Sequence, residues 1–85
     1  MPELCRFLGI VIRMFYRDHE PAHFHAVYGS YEITIGIADG AVQGDFPKRA
    51  LGLVLEWYQL HQHELSANWT LARDRKALSP IPPLE

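Results

Sequence analysis

The sequence predicts an α+β domain: a three- to four-stranded antiparallel meander with one face covered by one or two C-terminal helices. Three observations carry that reading. Up to Gly44, branched and aromatic residues alternate with polar ones, the two-residue period of half-buried strands. Gly29-Ser30 and Asp39-Gly40 punctuate that stretch as hairpin turns. After Pro47 the period changes, and Leu51, Val54, Leu55 and Tyr58 fall at i, i+3, i+4 and i+7, the stripe of a helix with one apolar side. Residues 1–85 read as one domain, with the sheet over about 5–44, helices over about 47–75 and an extended tail over 76–85.

The first expected strand covers residues 6–16, with Ile10, Ile12, Met14 and Tyr16 on one face and Val11, Arg13 and Phe15 on the other. Residues 17–22 are polar, contain Pro21 and read as a loop. Strands over 23–28 and 31–37 then flank the Gly29-Ser30 turn. That turn predicts Tyr28 opposite Tyr31, Ala26 opposite Ile33 and Phe24 opposite Ile35, which collects apolar pairs on a single face. The other face pairs Val27 with Glu32, His25 with Thr34 and His23 with Gly36, so the histidines point away from the core and Gly36 leaves room beside His23. A short fourth strand follows at 41–43.

Pro47 suits a first helical position, where its missing N–H costs nothing. A single helix over 47–73 would be about 40 Å long at about 1.5 Å per residue, too long for a chain of this size. A break near residues 61–66 is therefore expected, with Ser66 as a cap. Leu53, Trp57 and Leu60 form a second apolar side of the first helix, to be covered by the second helix or by another chain, including a second copy. Pro80, Pro82 and Pro83 exclude regular structure from the tail.

Composition narrows the function classes. At 48% hydrophobic and 21% charged residues the chain is globular and not disordered. A net charge of -2 argues against a long basic nucleic-acid footprint, leaving room for a small local one. Cys5 stands alone, which removes a disulfide framework and a cysteine-based zinc knot and fits a reducing cytoplasm. The longest apolar run, residues 9–12, is far too short to span a bilayer, and the N-terminus lacks a signal pattern, so no membrane partner is expected.

Three of the five histidines, His19, His23 and His25, fall within seven residues, and the last two share a strand face. Two chemistries follow. His23 and His25, with Arg13 beside them on the same face, supply a base, an acid and a cation for cleavage of RNA through its 2′-hydroxyl, a metal-independent reaction. Tyr16, His19 and Tyr28 would contact substrate, although strand parity puts both tyrosines on the inner face. Lys48 and Arg49, in the first helical turn, would meet a phosphate there. The same imidazoles, with His19 or Glu32 as third ligand, can instead hold a divalent ion such as zinc. No other cofactor is expected. The bland alternative is an inert histidine-bearing sheet face. His61 and His63 fall on different helix faces, and no Walker loop, GxGxxG, GxSxG or HExxH is present.

The run Arg13-Met14-Phe15-Tyr16-Arg17-Asp18-His19-Glu20-Pro21-Ala22-His23-Phe24-His25-Ala26-Val27-Tyr28-Gly29 resembles a small prokaryotic family known as domain of unknown function 4160. Arg49-Ala50-Leu51, Leu55-Glu56-Trp57, Glu64-Leu65 and Asn68-Trp69 extend the likeness over nearly the whole chain. The family pattern falls on Arg13, Tyr16, Asp18, His19, Pro21, His23, Phe24, His25, Tyr28 and Gly29, while Ala22 stands where a second proline is expected. The resemblance implies a toxin-like member of a bacterial toxin–antitoxin pair, whose partner is a small protein encoded by a neighbouring gene. It transfers no catalytic residue. The leading expectation is thus a toxin-like component acting on RNA at Arg13, His23 and His25. A non-catalytic protein–protein module and a divalent-metal-binding protein are the alternatives.

Overall fold

The computed structural model describes residues 3–16 and 18–84; Met1, Pro2, Arg17 and Glu85, which the expected domain, loop and tail include, lie outside the described residues. Five strands follow one another as β1 (Glu3–Phe7), β2 (Ile10–Arg13), β3 (His23–Tyr28), β4 (Tyr31–Gly36) and β5 (Val42–Asp45). Two helices, α1 (Lys48–Leu60) and α2 (Gln62–Arg73), complete the chain. The strands pair antiparallel in sequence order, a meander. The α+β class and helical C-terminal half are as the patterning predicts, and the sheet has five strands instead of three or four.

The additional strand comes from the expected strand at 6–16, which folds back on itself. Leu8 (φ 51°) and Gly9 (φ 82°) both take left-handed backbone, the geometry of a two-residue turn whose twist suits a hairpin. Phe7 then lies opposite Ile10. Leucine at the first of those positions hid the turn, because branched residues rarely enter that region. Ile10, Ile12 and Met14 still face the core, but pairing with β3 ends at Arg13, and Tyr16 is left exposed.

Between β3 and β4 the register is the expected one at all six positions, from His23 opposite Gly36 to Tyr28 opposite Tyr31. Phe24, Ala26, Ile33 and Ile35 are thereby buried against α1 residues Val54, Trp57 and Tyr58. The turn before β5 spans more than Asp39-Gly40: Gly36 and Ala41 close it, with the Gly36 N–H donating to Ala41 O at 2.9 Å. The strand after it runs two residues beyond the expected end.

α1 keeps Val54 and Tyr58 of the expected stripe inward but is rotated from its centre toward Ala50 and Trp57. Ala50, Val54, Trp57 and Tyr58 are its buried residues, and Leu51 and Leu55 sit at the margin. The indole of Trp57, expected at an interface, is fully buried among Phe7 and Phe24 and donates its Nε1–H to Pro82 O at 2.9 Å. An indole is large enough to fill the space between both halves of the sheet, so rotation toward it buries more surface than the leucines would. Leu53 is only partly buried, and Leu60 is 65% exposed.

The helix break falls at His61 alone, and Ser66 lies inside α2. His61 leaves helical geometry at φ −125°, and its Nδ1 meets Glu64 Oε1 at 2.6 Å across the first turn of α2. This side-chain contact across the start of α2 replaces the Gly or Pro that the sequence lacks there. The proline-rich tail is extended as expected but firmly docked. Asn68 and Ser79 exchange two hydrogen bonds, the Ile81 N–H donates to Leu4 O, and Ile81 is buried. Trp57→Ala should therefore cost about 3–5 kcal/mol in urea unfolding, the scale of a deleted core aromatic, with the elution volume of the folded protein unchanged.

Candidate functional site

His23 and His25 leave the sheet on the face opposite the core, and Arg13 is the cross-strand neighbour of His25 on β2. The loop joining β2 to β3 folds over this corner and brings in Asp18. One carboxylate oxygen, Asp18 Oδ2, lies 3.0 Å from His23 Nε2 and 3.2 Å from His25 Nε2. The other, Oδ1, accepts the His19 N–H at 2.8 Å, which fixes the carboxylate's orientation. The Ile37 N–H donates to Ala22 O at 3.0 Å, which extends the β3–β4 pairing by one residue and ties the loop's end to the end of β4.

The remaining imidazole nitrogens are also engaged. His23 Nδ1 lies 2.8 Å from Pro21 O, and His25 Nδ1 lies 3.1 Å from Glu32 Oε2. A carbonyl and a carboxylate only accept, so each Nδ1 carries a proton. Each Nε2 then meets Asp18 either as a second N–H or as a bare lone pair. As second N–H groups they require two imidazolium rings with centroids 5.2 Å apart. As lone pairs they require a cation among the three atoms. Asp18 Oδ2 and the two Nε2 atoms are a ligand set whose members all lie within 4.8 Å of one another. Around an ion with bonds of about 2.1 Å, tetrahedral ligands sit roughly 3.4 Å apart, close to the separations found.

Aromatic walls hold the rings. Phe15 stands edge-on to His25 at 4.5 Å, and Trp69 of α2 lies 5.3 Å from His23. His23 is consequently buried, where an exposed ring was expected: strand parity sends it off the core face, but the 18–22 loop and Trp69 then cover it. The cluster opens on one side into a cleft of about 330 Å³, whose walls include His19, Thr34, Asp39 and Gln43. The room beside Gly36 is taken by Asp39: a Cβ on Gly36 would collide with Asp39 Oδ1, which accepts the Ala41 N–H.

Asp18 stays ionised further into acid than an ordinary aspartate. Burial is the largest influence and opposes the charge, but the His19 N–H, the His25 ring and the positive character of His23 and His19 together outweigh it.

The structure gathers His19, His23, His25 and Glu32 in one place and adds Asp18. Reading the sequence for its histidines passed over Asp18, whose only signal was its place five and seven residues before them. Arg13 flanks the cluster between Glu3 and His25 and makes none of the described hydrogen bonds or ion pairs. Tyr28 and Arg49 line a separate groove with Leu53, Lys48 is exposed beside it, and Tyr16 is exposed without a described contact to the cluster. These four expected substrate contacts therefore do not meet the histidines.

The described helices include none long and apolar enough to cross a membrane. A family model described as "Domain of unknown function (DUF4160)" matches residues 9–70. No curated protein and no solved structure matches the chain. Because its carboxylate is favoured by the fold, Asp18 contributes stability above the ordinary aspartate value that is lost as pH falls through its lowered folded value. In metal-free protein, acid unfolding of Asp18→Asn should thus be less steep than that of the parent below about pH 4, followed by circular dichroism.

Proposed function

This chain belongs to the DUF4160 family, whose description carries no activity, and from its site we propose that it is a divalent-metal-binding protein acting through an ion held by Asp18, His23 and His25. One observation carries the reading: both Nδ1 atoms are occupied by acceptors, Pro21 O and Glu32, which turns both Nε2 lone pairs toward the Asp18 carboxylate. Metal-binding histidines are oriented in this way by a carbonyl or carboxylate on the opposite nitrogen. The charges also balance, since one divalent ion offsets Asp18 and Glu32. Two imidazoles and a carboxylate suit zinc and its transition-metal neighbours, and three protein ligands leave positions open toward the cleft. An ion so held supplies Lewis acidity and an activated water, the chemistry of hydrolysis. Phe15 and Trp69 exclude water from two sides, and His19 stands at the mouth, 82% exposed.

A second reading keeps the leading sequence expectation, a toxin-like component of a two-protein bacterial module cutting RNA without metal. What favours it is Arg13 beside His25. Against it, the described residues of the cleft wall include Asp39 and no lysine or arginine.

Titration of metal-stripped protein separates the two. Zinc should bind one-to-one by calorimetry, and cobalt should produce visible absorption bands while quenching Trp69. His25→Ala and Asp18→Ala should lose most of that affinity, and Glu32→Gln about 10–100-fold, the usual effect of removing a histidine's outer partner. Circular dichroism would verify that each variant is folded. Absence of binding, or binding indifferent to these changes, would overturn the metal reading. RNA cleavage that survives chelator and disappears in His25→Ala would then establish the second.

A further inference from the structure

β3 has two ends. His23 begins it at the metal cleft, and Tyr28 ends it about 17 Å away, at about 3.4 Å per residue. At that far end lies a groove of about 310 Å³ between the β1–β2 turn and the start of α1, lined by Leu8, Tyr28, Pro47, Arg49 and Leu53 among others.

Two features of this groove have no purpose within the fold, and a third gives it a firm wall. Leu8 occupies a left-handed turn position at φ 51° and is 68% exposed, so a branched apolar residue is held in disfavoured backbone without being buried. Strain kept at a surface position that contributes nothing to the core points to a use elsewhere. Lys48 and Arg49 stand in the first turn of α1, which has no acidic residue and no side-chain cap, and neither cation forms an ion pair among the described residues. Two cations at the positive end of a helix repel its dipole and are left uncompensated. The wall between them is rigid: the Tyr28 ring lies over Gly9, 3.2 Å from where a Cβ would stand, with Phe46 at 6.1 Å behind it.

We propose that this groove docks an acidic, apolar segment of another protein. A leucine or phenylalanine of that segment packs among Leu8, Tyr28 and Leu53, and a neighbouring carboxylate pairs with Arg49 and the open N–H groups of α1. Charge complementarity selects the occupant, since an apolar surface edged by unpaired cations disfavours a neutral or basic one. Tyr28 and Arg49 are of the residue types on which binding energy concentrates, and Leu8 and Leu53 add apolar surface around them. The site is separate from the metal centre and stands or falls without it.

The test uses three labelled synthetic peptides followed by fluorescence anisotropy: one alternating Glu and Leu, one with every Glu replaced by Lys, and one with every Leu replaced by Ser. Only the first should bind saturably, and added salt should weaken it. Arg49→Glu should reduce its affinity by about tenfold or more, the scale of one lost charge-assisted contact. Leu8→Gly separates docking from folding. It relieves the turn, so its melting temperature should equal or exceed the parent's, while peptide affinity falls. No saturable binding by the Glu–Leu peptide, equal binding by the Lys peptide, or affinity unaltered in both variants would overturn the proposal. Concentration-dependent dimerisation abolished by Leu8→Gly would overturn it in favour of a second copy as the occupant.

Discussion

Every other feature of this molecule depends on the register between β3 and β4. With Tyr28 opposite Tyr31, the side chains of Phe24, Ala26, Ile33 and Ile35 share one face, and His23, His25, Glu32 and Thr34 share the other. A slip of one residue would turn one strand over relative to the other. With β3 turned, Phe24 and Ala26 would leave the core, at roughly 1.5–3 kcal/mol for the phenylalanine, and two imidazoles would be forced into it. Few alternatives could cost a chain of this size so much. The Gly29 turn, at φ 60°, fixes the register locally, and Trp57 and Tyr58 enforce it from across the core.

The same register builds the polar cluster and explains why it is tolerated. Asp18, His23 and His25 are mostly withdrawn from water, yet no buried side-chain nitrogen or oxygen among the described residues lacks a partner. Pro21 and Glu32 serve the outer nitrogens, and the His19 N–H serves the second carboxylate oxygen. Buried polar networks strengthen as the local dielectric falls where every member is satisfied, and become costly where one is not. Phe15 and Trp69 supply that low dielectric on two sides. The arrangement is therefore stiff toward its protein neighbours and open only toward the cleft, which suits a site that must receive something from solvent.

Stiffness on that side has a structural source in the second half of the chain. The Tyr58 hydroxyl donates to Ile37 O at 2.6 Å, and Gln62 Nε2 donates to the same oxygen, anchoring the end of β4 beneath the cleft. The docked tail clamps both helices: Pro82 O takes the Trp57 indole and Ser79 exchanges bonds with Asn68. α2 is thus held where Trp69 can close over His23. At the opposite end of β3 no such clamp is formed among the described residues, and Leu8, Lys48 and Arg49 are exposed around the groove.

Side-chain alternation and turn chemistry act over a few residues, so the sequence by itself determined the α+β class, the β3–β4 register, the outward direction of His23 and His25, and a helix beginning beside Pro47, which caps α1 in extended geometry instead of occupying its first turn. The Leu8-Gly9 turn escaped it because only one of its two positions is a glycine, and the split at His61 because a His61–Glu64 pair replaced the customary breaker. Tertiary structure alone decided that Trp57, and not Leu51 and Leu55, joins Val54 and Tyr58 in the core, since the winner depends on the shape of the opposing sheet. It alone decided that Asp18 completes the histidine pair and that Trp69 buries one of its rings. Those contacts join a loop, a strand and a helix up to 51 positions apart, where no local period applies and the folded path of the chain sets what meets.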